Sequence, residues 1–120
     1  MRGLASLLLA FLVSCGTPTA VDSGLLRVSA RNSSVTLSNH AAQPVSYILA
    51  TPSFLELADP VPCAQPGGCR TSVPANGTIT VPYEKIWGYA PEERRAVVVH
   101  WRGLGGTVVD SVRRLVVTLR

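Results

Sequence analysis

From Leu25 onward, apolar and polar residues alternate with a period of two, a pattern that admits β-strands and argues against amphipathic helices. Leu26, Val28 and Ala30 alternate with Arg27, Ser29 and Arg31, and Val35 and Leu37 alternate with Ser34, Thr36 and Ser38. The same beat returns at Val45, Tyr47 and Leu49, at Ile79, Val81 and Tyr83, at Val97, Val99 and Trp101, and at Leu115, Val117 and Leu119. Turn residues separate these runs: Asn32-Ser33, Asn39 to Pro44, Pro74 to Gly77, and Gly103 with Gly105-Gly106. A further strand is expected near Val61 to Ala64, and only Ser53–Ala58 and Glu84–Trp87 suit a short helical turn.

With 120 residues, 47% hydrophobic and 15% charged, the chain is sized for one domain and is too apolar to be disordered. A single apolar stretch, near the start, argues against a multi-pass membrane protein. The net charge of +4 is spread along the chain without a block of one sign. Six or seven strands in this length predict an all-β fold, an antiparallel two-sheet sandwich. The layout resembles the immunoglobulin-like sandwiches of bacterial envelope proteins. The strand Val35–Asn39 ends in Asn and leads to a strand after Pro44, and a Pro-Ala-Asn-Gly turn opens Thr78–Val81. It departs from antibody domains in having Tyr47 rather than Trp in the third strand and no cysteine pair placed to bridge the sheets.

The N-terminus carries a different signal. After Met1-Arg2-Gly3 comes a ten-residue apolar stretch, Leu4 to Val13, interrupted only by Ser6. Its length matches a signal-peptide core and is about half of the ~20 residues that a spanning helix needs. Leu12-Val13-Ser14-Cys15 resembles the bacterial lipobox, an aliphatic residue, a tolerant position, a small residue and a cysteine. That resemblance implies cleavage before Cys15, acylation of its sulfur and amine, and a membrane anchor. Gly16 rather than Asp in the next position implies outer-membrane sorting. The alternative is ordinary secretion with cleavage after Gly16. The expected organisation is a signal peptide at 1–14, a lipidated cysteine and flexible tether at 15–24, and the sandwich at 25–120.

Cys63 and Cys69 flank Ala-Gln-Pro-Gly-Gly, which lets the chain turn back on itself. In an exported chain such a pair is expected to form a disulfide. A redox pair favours the C-x-x-C spacing, and the two Cys with two His match no zinc pattern.

No constellation for catalysis stands out. His40 and His100 are expected to face solvent, and a cupredoxin-like copper site would also want an axial Met, whereas the one Met is Met1. No G-x-S-x-G elbow or phosphate-binding glycine loop is present. The reading is therefore a non-enzymatic binding or scaffold domain without cofactor or metal. Its expected partners are the membrane, through the acyl chains on Cys15, and an envelope protein, with nucleic acid disfavoured by export. The competing readings are a small envelope enzyme, a metal-binding protein, or an accessory or inhibitor subunit.

Two surfaces are candidates for partner recognition. If the strands at 45–50, 96–102 and 115–120 are neighbours, Ile48, Ala50, Ala96, Val98, His100, Val116 and Thr118 point outward, rimmed by Arg114 and Arg120. That face is either an exposed interface or is covered by the Pro52–Pro66 segment. Trp87 and Tyr89, in the aromatic stretch Tyr83–Pro91, belong either to a recognition loop or to a plug closing one end of the sandwich.

Overall fold

The computed structural model describes residues 19–57, 71–103 and 110–120. The predicted all-β sandwich is what the chain forms. Its strands are β1 (Ala20–Asp22), β2 (Leu26–Arg31), β3 (Ser34–Asn39), β4 (Val45–Ala50), β5 (Ser72–Val73), β6 (Thr78–Pro82), β7 (Arg95–Arg102) and β8 (Arg113–Thr118). One helix, α1 (Pro52–Leu57), follows β4, and a 3₁₀ turn (Tyr83–Lys85) follows β6. The sheets run β1-β2-β3-β6 and β5-β4-β7-β8, and every strand pairing is antiparallel. The chain crosses between sheets after β3, β5 and β6, and β4, β7 and β8 are neighbours as an immunoglobulin-like order requires.

Local chemistry explains the connections. Asn32 and Ser33 both have positive φ (52° and 62°), the conformation of a two-residue hairpin loop whose twist matches its strands. That fixes the β2–β3 register, Arg31 opposite Ser34 and Val28 opposite Leu37. At the other end Asn39, 3% exposed, replaces missing ladder bonds with its side chain. Its amide nitrogen donates toward the carbonyls of Gln43, Val73 and Pro74 at 2.8–3.1 Å, and its oxygen accepts from Ala41 N–H at 2.7 Å. One side chain thereby joins the end of the first sheet to β5 in the second.

Two apolar layers result. Between the sheets lie Leu26, Val28, Val35, Leu37, Tyr47, Leu49, Val98 and Val117, with Ile86 and Tyr83 closing one end. On the far side of the second sheet, Ile48, Ala50, Val97, Val99 and Trp101 form a second cluster beneath Phe54 and Leu55 of α1. Thr51 starts that helix: its Oγ1 accepts from Phe54 N–H at 3.3 Å, and Pro52 follows it where a missing N–H costs nothing.

One expectation needs correction. Residues 20–22 of the segment expected to be tether at 15–24 are strand, because β1 occupies Ala20–Asp22 and pairs with β2, Ala20 opposite Ser29. Three residues are too few to display a period, so the strand was invisible in the sequence. The structure also adds β5 at Ser72–Val73, and the strand expected near Val61 to Ala64 lies outside the described residues.

Asn39→Ala strips partners from buried carbonyls and an amide, and is expected to cost about 2–3 kcal/mol in chemical denaturation. A loss below about 0.5 kcal/mol would show that the junction is held by other contacts.

Candidate functional site

The face expected to present Ile48, Val98 and His100 together does not exist. Leu49 sits opposite Val98, and Ile48 opposite Val99, so Val98 and His100 point between the sheets while Ile48 points the other way. Val98 and His100 are each 0% exposed. The strand β7 is apolar on both faces, and a phase error of one residue exchanges its faces. Ile48 and Ala50 do lie on the outer face, but α1 covers them. What remains exposed of that face is Val116 at 39%, with Arg114 beside it on β8; Thr118 is half-buried, and Arg120, also exposed, lies beyond the strand. Part of the Pro52–Pro66 segment, namely α1, is therefore the cover.

The aromatic stretch is a plug with one half-exposed ring. Tyr83 and Ile86 are buried in the inter-sheet core, and the Tyr83 hydroxyl donates to Arg120 O at 2.8 Å and accepts from Arg120 N–H at 2.9 Å. Tyr89 lies 5.7 Å from Tyr83, ring centre to ring centre. Trp87, 37% exposed, packs on Phe54 of α1 at 5.6 Å. Its backbone extends the second sheet: Trp87 N–H donates to Leu49 O and Thr51 N–H donates to Trp87 O. Gly88 makes this approach possible. At its φ of +78°, a Cβ would come within 2.7 Å of both Phe54 Cβ and Thr51 Oγ1. The rings thus clamp α1 onto the sheet, and Trp87 and Lys85 border a cleft of about 140 Å³ at the edge of β4.

His100 is not solvent-facing as expected; it stands at the centre of a polar knot that no sequence pattern announced. Its Nδ1 lies 3.1 Å from Val98 O and its Nε2 lies 2.8 Å from Ser23 Oγ, 77 residues away. Burial holds its pKa below the ordinary histidine value, Arg113 adds repulsion, and the Val98 carbonyl opposes both. The neutral ring therefore donates from Nδ1 to Val98 O and accepts the Ser23 hydroxyl proton at Nε2. Ser23 Oγ in turn accepts from the N–H groups of Leu25 and Leu26 at 3.3 and 3.2 Å, and Ser23 O accepts from Arg113 at 2.8 Å. This knot pins the start of the domain to β7 and β8 across the sandwich. His40, by contrast, lies at the surface as expected, 3.7 Å from Asp22.

A third locality gathers at the end where β2 meets β3. Arg94 and Arg120 line a cleft of about 160 Å³ there with Ser33, Tyr83, Tyr89 and Glu93. Leu119 N–H donates to Arg94 O at 2.8 Å and Tyr83 N–H donates to Ser33 O at 2.9 Å, which closes this end of the barrel-like core. Cys15, Cys63 and Cys69 lie outside the described residues. No group of three or more metal-ligating side chains occurs among the described residues.

Two measurements test this geometry. Val98→Glu buries an unpaired charge and is expected to cost at least about 3 kcal/mol, whereas Val116→Glu should stay within about 0.5 kcal/mol of the parent. Equal effects would contradict the strand phase. The depressed His100 pKa means that the unfolded chain binds the proton first, so stability is full above about pH 6.5. It is expected to fall as pH drops from 6.5 toward the folded-state value, by at most about 1.4 kcal/mol per pH unit. His100→Gln should flatten the dependence of Tm on pH between 7 and 5, and an unchanged slope would contradict a neutral, buried His100.

No family model, curated protein or solved structure matches this chain.

Proposed function

We propose that this chain is a lipid-anchored protein of the bacterial envelope whose sandwich is a binding or scaffold module and not an enzyme. The observation that carries the reading is the lipobox-like Leu12-Val13-Ser14-Cys15 at the end of an apolar stretch of signal-peptide length, four residues before Thr19, where the described chain joins the sheet. The bond from Ala30 N–H to Thr19 O, 2.8 Å, ties that entry point directly to the sheet. One acyl chain binds membranes only marginally, at about 0.8 kcal/mol per buried methylene, so the two or three chains of a lipoprotein are what make such an anchor stable.

An enzyme reading rests on Ser23 and His100, a nucleophile and a base in hydrogen-bond contact. The surroundings favour a structural role. His100 has no exposed surface, its Nδ1 is oriented by a backbone carbonyl, and Ser23 Oγ already accepts two backbone N–H groups. A protein partner in the envelope is part of the proposal, and the half-exposed Trp87, packed against Phe54 of α1, is the aromatic anchor best presented to one.

Cys15→Ala is expected to abolish incorporation of a fatty-acid probe into the protein; a variant that labels like the parent would overturn the anchor. Cys63 and Cys69 are expected to appear as one linked peptide in non-reducing mass analysis of protein taken from the envelope. Recovery of two free thiols would contradict the disulfide.

A further inference from the structure

The reach of the chain between Cys15 and the fold decides which end of the sandwich meets the membrane. β1 runs antiparallel to β2, so its first residues lie beside the last residues of β2, and Thr19 O accepts from Ala30 N–H. The polypeptide therefore enters at the end that carries the Arg31–Ser34 hairpin, the 3₁₀ turn and the start of β7. Four residue steps separate Cys15 from Thr19, a span of at most about 14 Å even when fully extended. An acylated Cys15 sits at the bilayer surface, and Debye screening at physiological salt acts over about 8 Å. This end is thus the one nearest the headgroups, close enough for its charges to come within a screening length of them, and the opposite end, with Asn39 and Gly77, is turned away.

The charges at this end fit that placement. Arg31 closes β2, Arg95 opens β7, and Arg94 and Arg120 flank the cleft between the sheets; all four are exposed. The ion pairs among the described residues lie elsewhere, at Asp22–His40 and at Asp110 with Arg102 and Arg113. Among the side chains of the described residues, Lys85, Glu84, Glu92 and Glu93 share this end, so five cations stand with three carboxylates. We propose, resting on the lipid-anchor reading, that this end is a membrane-facing surface on which Arg31, Arg94, Arg95 and Arg120 engage anionic phospholipid headgroups and set the orientation of the domain. The anchor has already supplied the association, so a weak preference is enough to orient the domain. Each net cation near an anionic surface favours this end by about fivefold.

The test uses the lipidated protein in vesicles of phosphatidylcholine, with and without phosphatidylglycerol, footprinted by phenylglyoxal and peptide mass analysis. Sedimentation with the neutral vesicles reports the anchor, and its absence would overturn the anchor and this orientation together. With the anchor in place, Arg31, Arg94, Arg95 and Arg120 are expected to react about tenfold more slowly on the anionic vesicles than on the neutral ones. Arg27 and Arg114, on the same sheets but away from this end, should react alike on both, and high salt should remove the difference. Protein that sediments with both vesicles yet shows equal protection of all six arginines overturns the orientation and leaves the anchor standing. Replacing the four exposed arginines by Gln is expected to keep sedimentation and the circular dichroism spectrum. It should also remove any lipid-dependent change in the acetylation of Lys85 by acetic anhydride; a change that persists would assign the contact to other groups.

Discussion

The pairing of β4 with β7 is the constraint on which the rest of this fold depends. An antiparallel sheet in a sandwich ordinarily keeps one face wet, but every residue of β4, and every residue of β7 from Ala96 to Trp101, is buried. Tyr47, Leu49, Ala96 and Val98 fill the space between the sheets, and Ile48, Ala50, Val97, Val99 and Trp101 fill a second layer outside it. Burying such side chains is worth roughly 1.5–3 kcal/mol each for the larger ones, so the outer layer demands a cover. The six residues of α1 are too few to be a stable helix alone. The helix persists because Thr51 caps it, Phe54 and Leu55 seat on the second layer, and Trp87 presses on Phe54.

The knot at His100 follows from the same burial. A polar ring on a two-sided dry strand must find two partners, and it finds Val98 O and the Ser23 hydroxyl. Every buried side-chain polar atom among the described residues is similarly satisfied. Because Ser23 follows β1 directly, satisfying His100 holds the far end of β1, while the pairing of β1 with β2 sets where the chain enters, and the entry point governs how an anchored domain meets the membrane. The structural core and the proposed orientation are in this way linked through the short strand β1.

How much of this was legible depends on contrast between strand faces. In β2, Leu26, Val28 and Ala30 stand against Arg27, Ser29 and Arg31, and the inward set is correct residue by residue. β8 likewise shows its phase through Arg114 and Leu115. In β7, Ala96 to Val99 offer no polar residue to mark the wet side, because there is none, and the outward face assigned to Val98 and His100 was inverted. The unbroken Ala-Val-Val-Val run was itself the sign of two-sided burial. Short pairings such as β1 and β5 are set by their neighbours and leave no period to read. The aromatic loop was legible as unusual, but its depth was not, since Tyr83 and Ile86 are buried while Trp87 is half outside.

Native-state hydrogen exchange tests the central claim most directly. If β4 and β7 are dry on both faces, the amides of Ile48, Ala50, Val97 and Val99 exchange only through global unfolding, and their opening free energies equal the stability measured by denaturation. Exchange of these four amides through a local opening several kcal/mol below global unfolding would show that α1 and Trp87 do not seal the outer layer, and would contradict the two-layer account.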